Sequence, residues 1–207
     1  MSIFIEFQRK PKLHFEIEEP PYDSKPSGGI KEARFLRVLL CNNPMPGFLK
    51  WLGRNAALQC YGDIQFYHLE DGAPVFSRLM PIRWAAADEP LTWQVRSDNA
   101  IAQLFDPTKY NASFQRNCFP GTKELIDVAV RFDDDEDCFG WSSENYLPDK
   151  GWRNPEWKIP KGRYLAKVTV QSSGETISAV FQLENTVARK HFRLLNATQE
   201  DILKLNK

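Results

Sequence analysis

The feature that most constrains the fold is the alternation of apolar and polar residues between Gly162 and Glu184. In the first half one parity holds Tyr164, Ala166, Val168 and Val170, and in the second half one parity holds Ile177, Ala179, Phe181 and Leu183. Successive side chains of a β-strand point to opposite faces, so this period of two predicts two strands with one buried face. Ser173-Gly174 lies between them, and glycine adopts positive φ without steric cost. The segment therefore predicts a β-hairpin.

Other segments show the same period of two and predict further strands. They are Ile3–Phe7, Leu13–Ile17, Ala33–Cys41, Ala56–Leu69 and Glu124–Phe132. In Ala33–Cys41 the residues expected to face the core are Leu36, Val38 and Leu40. In Glu124–Phe132 they are Ile126, Val128, Val130 and Phe132. Gly62 predicts a bulge in the strand Ala56–Leu69, because glycine weakens a strand interior.

The segments between the strands contain turn and capping residues. Phe48, Leu49, Trp51 and Leu52 predict an apolar cluster in a loop or a single helical turn. Thr198, with Asp201 three residues later, predicts the start of a short terminal helix. The predicted organisation is an N-terminal strand and flexible loop over residues 1–30, a β-sandwich over 31–193, and a tail with a short helix over 194–207.

Short strands separated by turns, with few helical periods, predict an all-β, antiparallel sandwich with long loops. The run Ile159 to Tyr164, followed by alternating apolar residues, is similar to the point where a loop enters a strand in immunoglobulin-like domains. There a glycine turn precedes a tyrosine whose hydroxyl bonds to the upstream backbone. Together with the runs FLRVLLCN and GRYLAKVTV, this pattern resembles uncharacterised prokaryotic immunoglobulin-like β-sandwich domains over residues 31–185. The resemblance implies a fold and no activity.

Charge and cysteine usage exclude several classes of function. Lysine plus arginine equal aspartate plus glutamate at 27 each, which disfavours nucleic-acid binding because phosphate contacts need clustered cations.

No apolar run is long enough to span a membrane, and the first residues are too polar for a signal peptide. We expect a cytoplasmic protein without a cofactor. Cys41, Cys60, Cys118 and Cys138 have no close Cys/His spacing, which argues against a zinc site and predicts free thiols. His14 is expected to be an exposed strand residue.

The longest irregular stretch, residues 133–160, is the candidate site. Loops of this length are uncommon unless they fold on themselves or bind something. The predicted partner-binding residues are Trp141, Tyr146, Trp152, Arg153 and Trp157. Tryptophan and arginine are enriched at protein-docking hot spots, and tryptophan faces also pack against sugar rings. A third possibility is that these rings form a satellite core under the loop.

The acidic run that opens this stretch is a weak candidate for calcium, through Asp133, Asp135 and Asp137. Its spacing does not match an EF-hand loop, and consecutive acids at a strand end are usually solvated. No nucleophile elbow or phosphate-binding glycine loop is present.

The sequence therefore favours a non-catalytic interaction module of a larger assembly, with another protein as the partner and an oligomeric state that remains open. A carbohydrate-binding domain that uses the aromatic loop 139–157 is the alternative. A hydrolase with a carboxylate-based site is the second alternative, and it needs a concave site holding an acid of raised pKa.

Overall fold

Strands dominate the structure, a computed structural model that describes residues 2–25, 32–95, 101–147, 152–186 and 191–205. The helices of these residues are α1 (Ser2–Arg9), α2 (Pro107–Ala112) and α3 (Gln199–Lys204). The strands are β1 (Leu13–Ile17), β2 (Tyr22–Ser24), β3 (Ala33–Asn42), β4 (Ala57–His68), β5 (Met80–Pro81), β6 (Arg83–Trp84), β7 (Leu91–Val95), β8 (Ile101–Phe105), β9 (Arg116–Cys118), β10 (Lys123–Phe132), β11 (Cys138–Gly140), β12 (Lys158–Ile159), β13 (Gly162–Gln171), β14 (Thr176–Asn185) and β15 (Arg193–Asn196). The prediction of an all-β chain with a short C-terminal helix is confirmed.

The strands form two large antiparallel sheets and one small one. The seven-stranded sheet has the order β1-β3-β10-β11-β12, with β2 pairing to β3 and β6 pairing to β10. The six-stranded sheet has the order β15-β14-β13-β4-β5, with β9 pairing to β4. Strands β7 and β8 pair with each other.

The predicted hairpin is confirmed and forms the centre of the six-stranded sheet. Strands β13 and β14 pair in continuous register from Gly162 with Asn185 to Gln171 with Thr176. The turn spans residues 172–175 and is closed by a 2.8 Å bond from Ser172 N–H to the Glu175 carbonyl. Gly174 lies outside the left-handed region, so the expectation of a positive φ there is wrong.

The main core lies between the two large sheets. Leu36, Val38 and Leu40 of β3 are buried in it, as expected from their parity. From the other sheet, the apolar parity of β13 enters the same core through Ala166 and Val168. Both sheets therefore bury one face against each other, which is the arrangement that the alternating patterns predict.

Strand β10 departs from its predicted pattern. Its four apolar residues are all buried, but Ile126 and Val128 enter the core between the sheets, whereas Val130 and Phe132 enter a second cluster on the opposite face. The cause is a bulge: Asp127 pairs with Arg37, and Ala129 pairs with Leu36. One extra residue reverses the face of every residue after it, because the side-chain period of a strand is two.

The N-terminal segment forms a helix, so the predicted strand Ile3–Phe7 is wrong. The last carbonyls of α1 are bound by a distant segment: Arg54 Nη1 donates to the Gln8 and Lys10 carbonyls at 3.3 and 2.7 Å, and Asn55 N–H donates to Arg9 at 2.7 Å. These tertiary bonds satisfy carbonyls that a short helix leaves unpaired. Local sequence gives no sign of them.

One predicted boundary falls inside a paired strand, and another lies outside the described residues. Strand β2 lies within the predicted flexible loop, whose residues 26–30 lie outside the described residues. Strand β15 crosses the boundary drawn after residue 193, and its Leu194 lies in the main core. The terminal helix has the predicted capping box between Thr198 and Asp201.

Gly62 does not mark a bulge, because it pairs with Val170 in continuous register. It instead allows a close backbone approach: an added Cβ would clash with the Thr169 carbonyl oxygen. The irregularity of β4 lies between Ala57 and Cys60, where Gln59 has a φ of 52°.

We therefore predict that Gly62→Ala lowers the free energy of unfolding by about 1 to 3 kcal/mol, the usual cost of overpacking. The matched control is Gly174→Ala, because an added Cβ there has no atom within 4 Å. Urea denaturation of both variants measures the difference. Equal stabilities would contradict the close approach at Gly62.

Candidate functional site

The predicted aromatic site folds under its own loop. Trp141, Tyr146 and Trp157 are buried, and Trp157 is fully inaccessible. Trp141 packs edge-on against Phe35 of β3 and against Tyr146, with ring centroids 5.3 and 5.6 Å apart. Trp141 and Tyr146 belong to the second hydrophobic cluster, as the satellite-core alternative predicts, whereas Trp157 lies in the main core between the sheets. A platform for sugar rings needs exposed ring faces, and these three rings do not provide them.

Glu144 fixes the loop from within. It lies in a 3₁₀ turn (Ser143–Tyr146) that begins with a capping box between Ser142 and Asn145. Its carboxylate accepts a hydrogen bond from Trp157 Nε1 at 3.0 Å and a bidentate pair from Arg78 at 3.1 and 2.7 Å. The Arg78 guanidinium also lies 4.2 Å from the Trp157 ring centroid. The loop is therefore held by a buried indole and a charge-assisted network.

Trp152 and Arg153 are the two predicted site residues that remain partly exposed. Trp152 has a φ of 68°, a left-handed conformation that is uncommon for an aromatic residue. Its ring contacts Trp141 and Tyr146, and its carbonyl accepts a bond from Asn145. The surrounding contacts thus hold Trp152 at the edge of the satellite core.

The acidic run is neutralised by neighbouring cations. Arg153 donates to Asp135 at 2.6 Å and to Asp134 at 2.8 Å, and Lys158 lies 2.7 Å from Asp137. Asp133, Asp135 and Asp137, the predicted calcium ligands, are not part of any cluster of three possible metal ligands among the described residues. The run therefore serves to close the loop onto Arg153 and Lys158.

A buried charge network on the outer face of the seven-stranded sheet was not predicted. Asp127 accepts from Arg37 Nε at 2.6 Å and from Arg83 Nη1 at 3.1 Å, and its side chain is 1% exposed. Arg83 also donates to the Trp84 and Ala87 carbonyls. The sequence signal was present: Arg37 and Asp127 are charged residues inside otherwise apolar strands. Two guanidinium groups hold this carboxylate in a buried ion-pair network.

A cavity of about 530 Å³ lies beside this network, at the open edge between the sheets. Its lining includes Glu18, Arg37, Pro20 and Phe192. Burial raises the pKa of the Glu18 carboxyl above its ordinary 4.5, against the opposing charge of Arg37. Glu18 Oε2 is 4.0 Å from Arg37 Nη1 and accepts no hydrogen bond from the described residues. This is a concave site that contains an acid of raised pKa.

The most exposed large apolar side chains lie elsewhere, on a 3₁₀ turn (Gly47–Leu52) that follows β3. Phe48 is 79% exposed and Trp51 is 78% exposed. Residues three apart in a 3₁₀ turn lie on the same side, so the two rings project together. We call Phe48 and Trp51 the apolar projection. The sequence placed an apolar cluster here but gave no reason to expect its exposure.

Cations are frequent in the segment that contains the apolar projection and in the N-terminal segment bonded to it. Gly53 ends the turn, and Arg54 then joins it to α1 through the Gln8 and Lys10 carbonyls. Helix α1 contributes Phe7, which is 64% exposed. Across residues 2–12 and 45–55 the charged residues are Arg9, Lys10, Lys12, Lys50, Arg54 and the single acid Glu6.

Comparison with known proteins gives no family. No protein-family model matches the chain, and no curated protein matches it. Among solved structures the chain is similar to a family 123 glycoside hydrolase from Clostridium perfringens, described for glycolipid glycan hydrolysis, at 11% identity and a TM-score of 0.36. The similarity covers 90% of this chain and 28% of that chain, so this chain spans less than a third of the hydrolase. A likeness this weak carries no argument about activity.

Within the described part of the chain, no helix is long and apolar enough to cross a membrane.

We predict that Asp127→Asn lowers the free energy of unfolding by about 3 to 5 kcal/mol, because it leaves two buried or nearly buried guanidinium groups without their anion. Asp23→Asn is the matched control, since Asp23 pairs with Arg34 at 2.8 Å but is 45% exposed. Its cost should stay below about 1 kcal/mol. Chemical denaturation compares the two variants, and a similar small loss in both would contradict the role of the network.

The raised pKa of Glu18 predicts a pH-dependent effect on stability. A carboxyl group whose pKa is higher in the folded state stabilises the fold while it is protonated. The stability that Glu18 contributes is therefore lost as the pH rises from 4.5, the ordinary pKa of the group, through its folded-state pKa. Glu18→Gln should therefore raise the melting temperature at about pH 7 and change it less at about pH 4. A gain that is the same at both values would contradict the desolvated carboxyl.

Proposed function

We propose that this chain is a non-catalytic interaction module that binds another protein through the apolar projection. The observation that carries the proposal is the near-complete exposure of Phe48 and Trp51, two rings that project from the same turn. Isolated exposed apolar residues are ordinary, but adjacent aromatic rings with this exposure are characteristic of docking anchors. Burying them in a partner pocket would remove a large apolar area from water.

The charge around the projection specifies the partner further. Lys50 lies between Phe48 and Trp51 in sequence, and Arg9, Lys10 and Lys12 lie on the segment bonded to Arg54 and Asn55, all of these lysines and Arg9 being exposed. The complementary partner surface is an apolar pocket with an acidic rim, because opposite charges at a rim steer association. Trp152 and Arg153, the accessible members of the predicted loop, can supply a second contact.

The immunoglobulin-like assignment is part of this proposal. Two antiparallel sheets that share one core, with the β13–β14 hairpin at the centre of one sheet, support it. The curvature of the seven-stranded sheet into a half-barrel departs from it. The four free, buried cysteines support the proposed cytoplasmic setting, because reduced thiols are usual there.

A carboxylate-based hydrolase is the second candidate, and the observation that favours it is Glu18 in its cavity. Wild-type protein and Glu18→Gln would be assayed on nitrophenyl glycosides, esters and phosphates. Turnover by the wild type that is lost in the variant would support the hydrolase. Absence of turnover in both would favour the interaction module.

The central prediction is that Trp51→Ala weakens partner binding about thirtyfold or more, the effect of losing a hot-spot residue worth about 2 kcal/mol. Its free energy of unfolding should change by less than about 0.5 kcal/mol, because the ring is exposed. A photo-crosslinking residue at position 51, introduced in the native cell, identifies the partner for the affinity measurement. Position 119 is the matched control, since Phe119 is 52% exposed and lies outside the projection.

Three outcomes distinguish the possibilities. A protein adduct from position 51, absent from position 119 and reduced by Lys50→Glu, supports the proposal. The same adducts from both positions overturn it. Binding to phosphatidylserine vesicles that requires Trp51, without a protein adduct, assigns the projection to a membrane surface instead and also overturns it.

A further inference from the structure

Three potential metal ligands come together on the outer face of the seven-stranded sheet. His14 of β1 is directly opposite Cys41 of β3, and Cys41 is directly opposite Lys123 of β10. Directly opposed residues of antiparallel strands have their side chains on the same face. Glu16 is two residues after His14, so it shares that face as well.

The distances bring the three side chains within reach of one ion. One ligand atom from each of His14, Glu16 and Cys41 lies within 4.8 Å of the other two. His14 Nε2 is 3.1 Å from Glu16 Oε1. His14 Nδ1 is buried and has no hydrogen-bond partner among the described residues, so the ring retains unused binding capacity. Tetrahedral zinc ligands lie about 3.5 Å apart, so the group must contract by about 1 Å.

We propose that His14, Glu16 and Cys41 bind one divalent ion of the zinc class. The donor set of imidazole nitrogen, carboxylate oxygen and thiolate sulfur suits zinc, and three protein ligands leave a fourth position for water. An unbound cysteine thiol is protonated at neutral pH, because its ordinary pKa is about 8.5. Binding forms a metal–sulfur bond and releases that thiol proton to solvent, so affinity increases with pH.

Lys123 competes with a bound metal ion for the Glu16 carboxylate. Its Nζ lies 2.5 Å from Glu16 Oε2, so the metal-free group contains an ion pair in which lysine neutralises the carboxylate. Metal binding must share or displace this partner. Removing Lys123 frees the Glu16 carboxylate and should tighten metal binding at this site. Adventitious metal binding to surface histidines should keep the same affinity when Lys123 is removed, so the lysine variant distinguishes the two.

Titration of the full-length, reduced protein with Co²⁺ tests the site. We expect one equivalent to bind and to produce a thiolate-to-cobalt charge-transfer band, which added Zn²⁺ abolishes. Cys41→Ser should remove the band, and His14→Gln should weaken binding at least about tenfold, the loss usual for a disturbed metal site. Lys123→Gln should tighten binding about two- to fivefold, as expected for an exposed ion pair.

The controls are Cys138→Ser, which removes a thiol on β11, and His191→Gln, which removes an exposed imidazole. Both should retain the wild-type band and affinity. Circular dichroism confirms that each variant is folded. The proposal is overturned if the wild type shows no charge-transfer band, or if the band persists in a folded Cys41→Ser protein. Unchanged affinity in both His14→Gln and Lys123→Gln would also overturn it.

Discussion

The bulge in β10 is the constraint on which the rest of the structure depends. It places Val128 and Ala129 together in the core between the sheets and turns Val130 and Phe132 to the opposite face. One strand thus serves two hydrophobic clusters. Without the extra residue, Val130 and Phe132 would turn inward. The outer aromatic cluster would then lose both residues, and the inner core would be overfilled. Bulges are local features with this kind of global consequence, because they reverse the alternation of a strand.

The outer cluster holds the described part of the aromatic loop against the sheet. Phe132 and Phe35 of the sheet provide the apolar floor on which Trp141 and Tyr146 pack. Arg153 lies over Phe132 at 4.2 Å and pairs with the acidic run, so the loop is fixed at its edge as well. A loop this well satisfied is a structural element. Its length had suggested binding, but the burial of its rings gives it a packing role.

The surface features that remain available lie toward one end of the seven-stranded sheet. The apolar projection follows the end of β3, and the His14–Glu16–Cys41 group spans β1 and the last residues of the same strand. A 3.0 Å bond from Asn43 N–H to the Lys12 carbonyl joins the two segments. The buried Arg37–Asp127–Arg83 network lies between this end and the aromatic cluster. The proposed binding features therefore lie on a different part of the sheet from the buried rings of the aromatic cluster.

Local alternation by itself determined the strands β1, β3, β4 and β10, the β13–β14 hairpin, and the inward parity of Leu36, Val38 and Leu40. Capping residues determined the terminal helix. All of these depend on neighbours close in sequence. Tertiary structure alone decided the helical state of residues 2–9, the bulge in β10 and the pairing of Asp127 with two arginines. It also decided the burial of Trp141 and Trp157, the exposure of Trp51, and the opposition of His14 and Cys41. Three of these depend on partners distant in the chain: Arg54 for the helix, Arg83 for Asp127, and Arg78 and Glu144 for Trp157. Spacing along the sequence argues against a zinc site, whereas the site proposed here takes its ligands from different strands, because a sheet brings together residues that are distant in sequence.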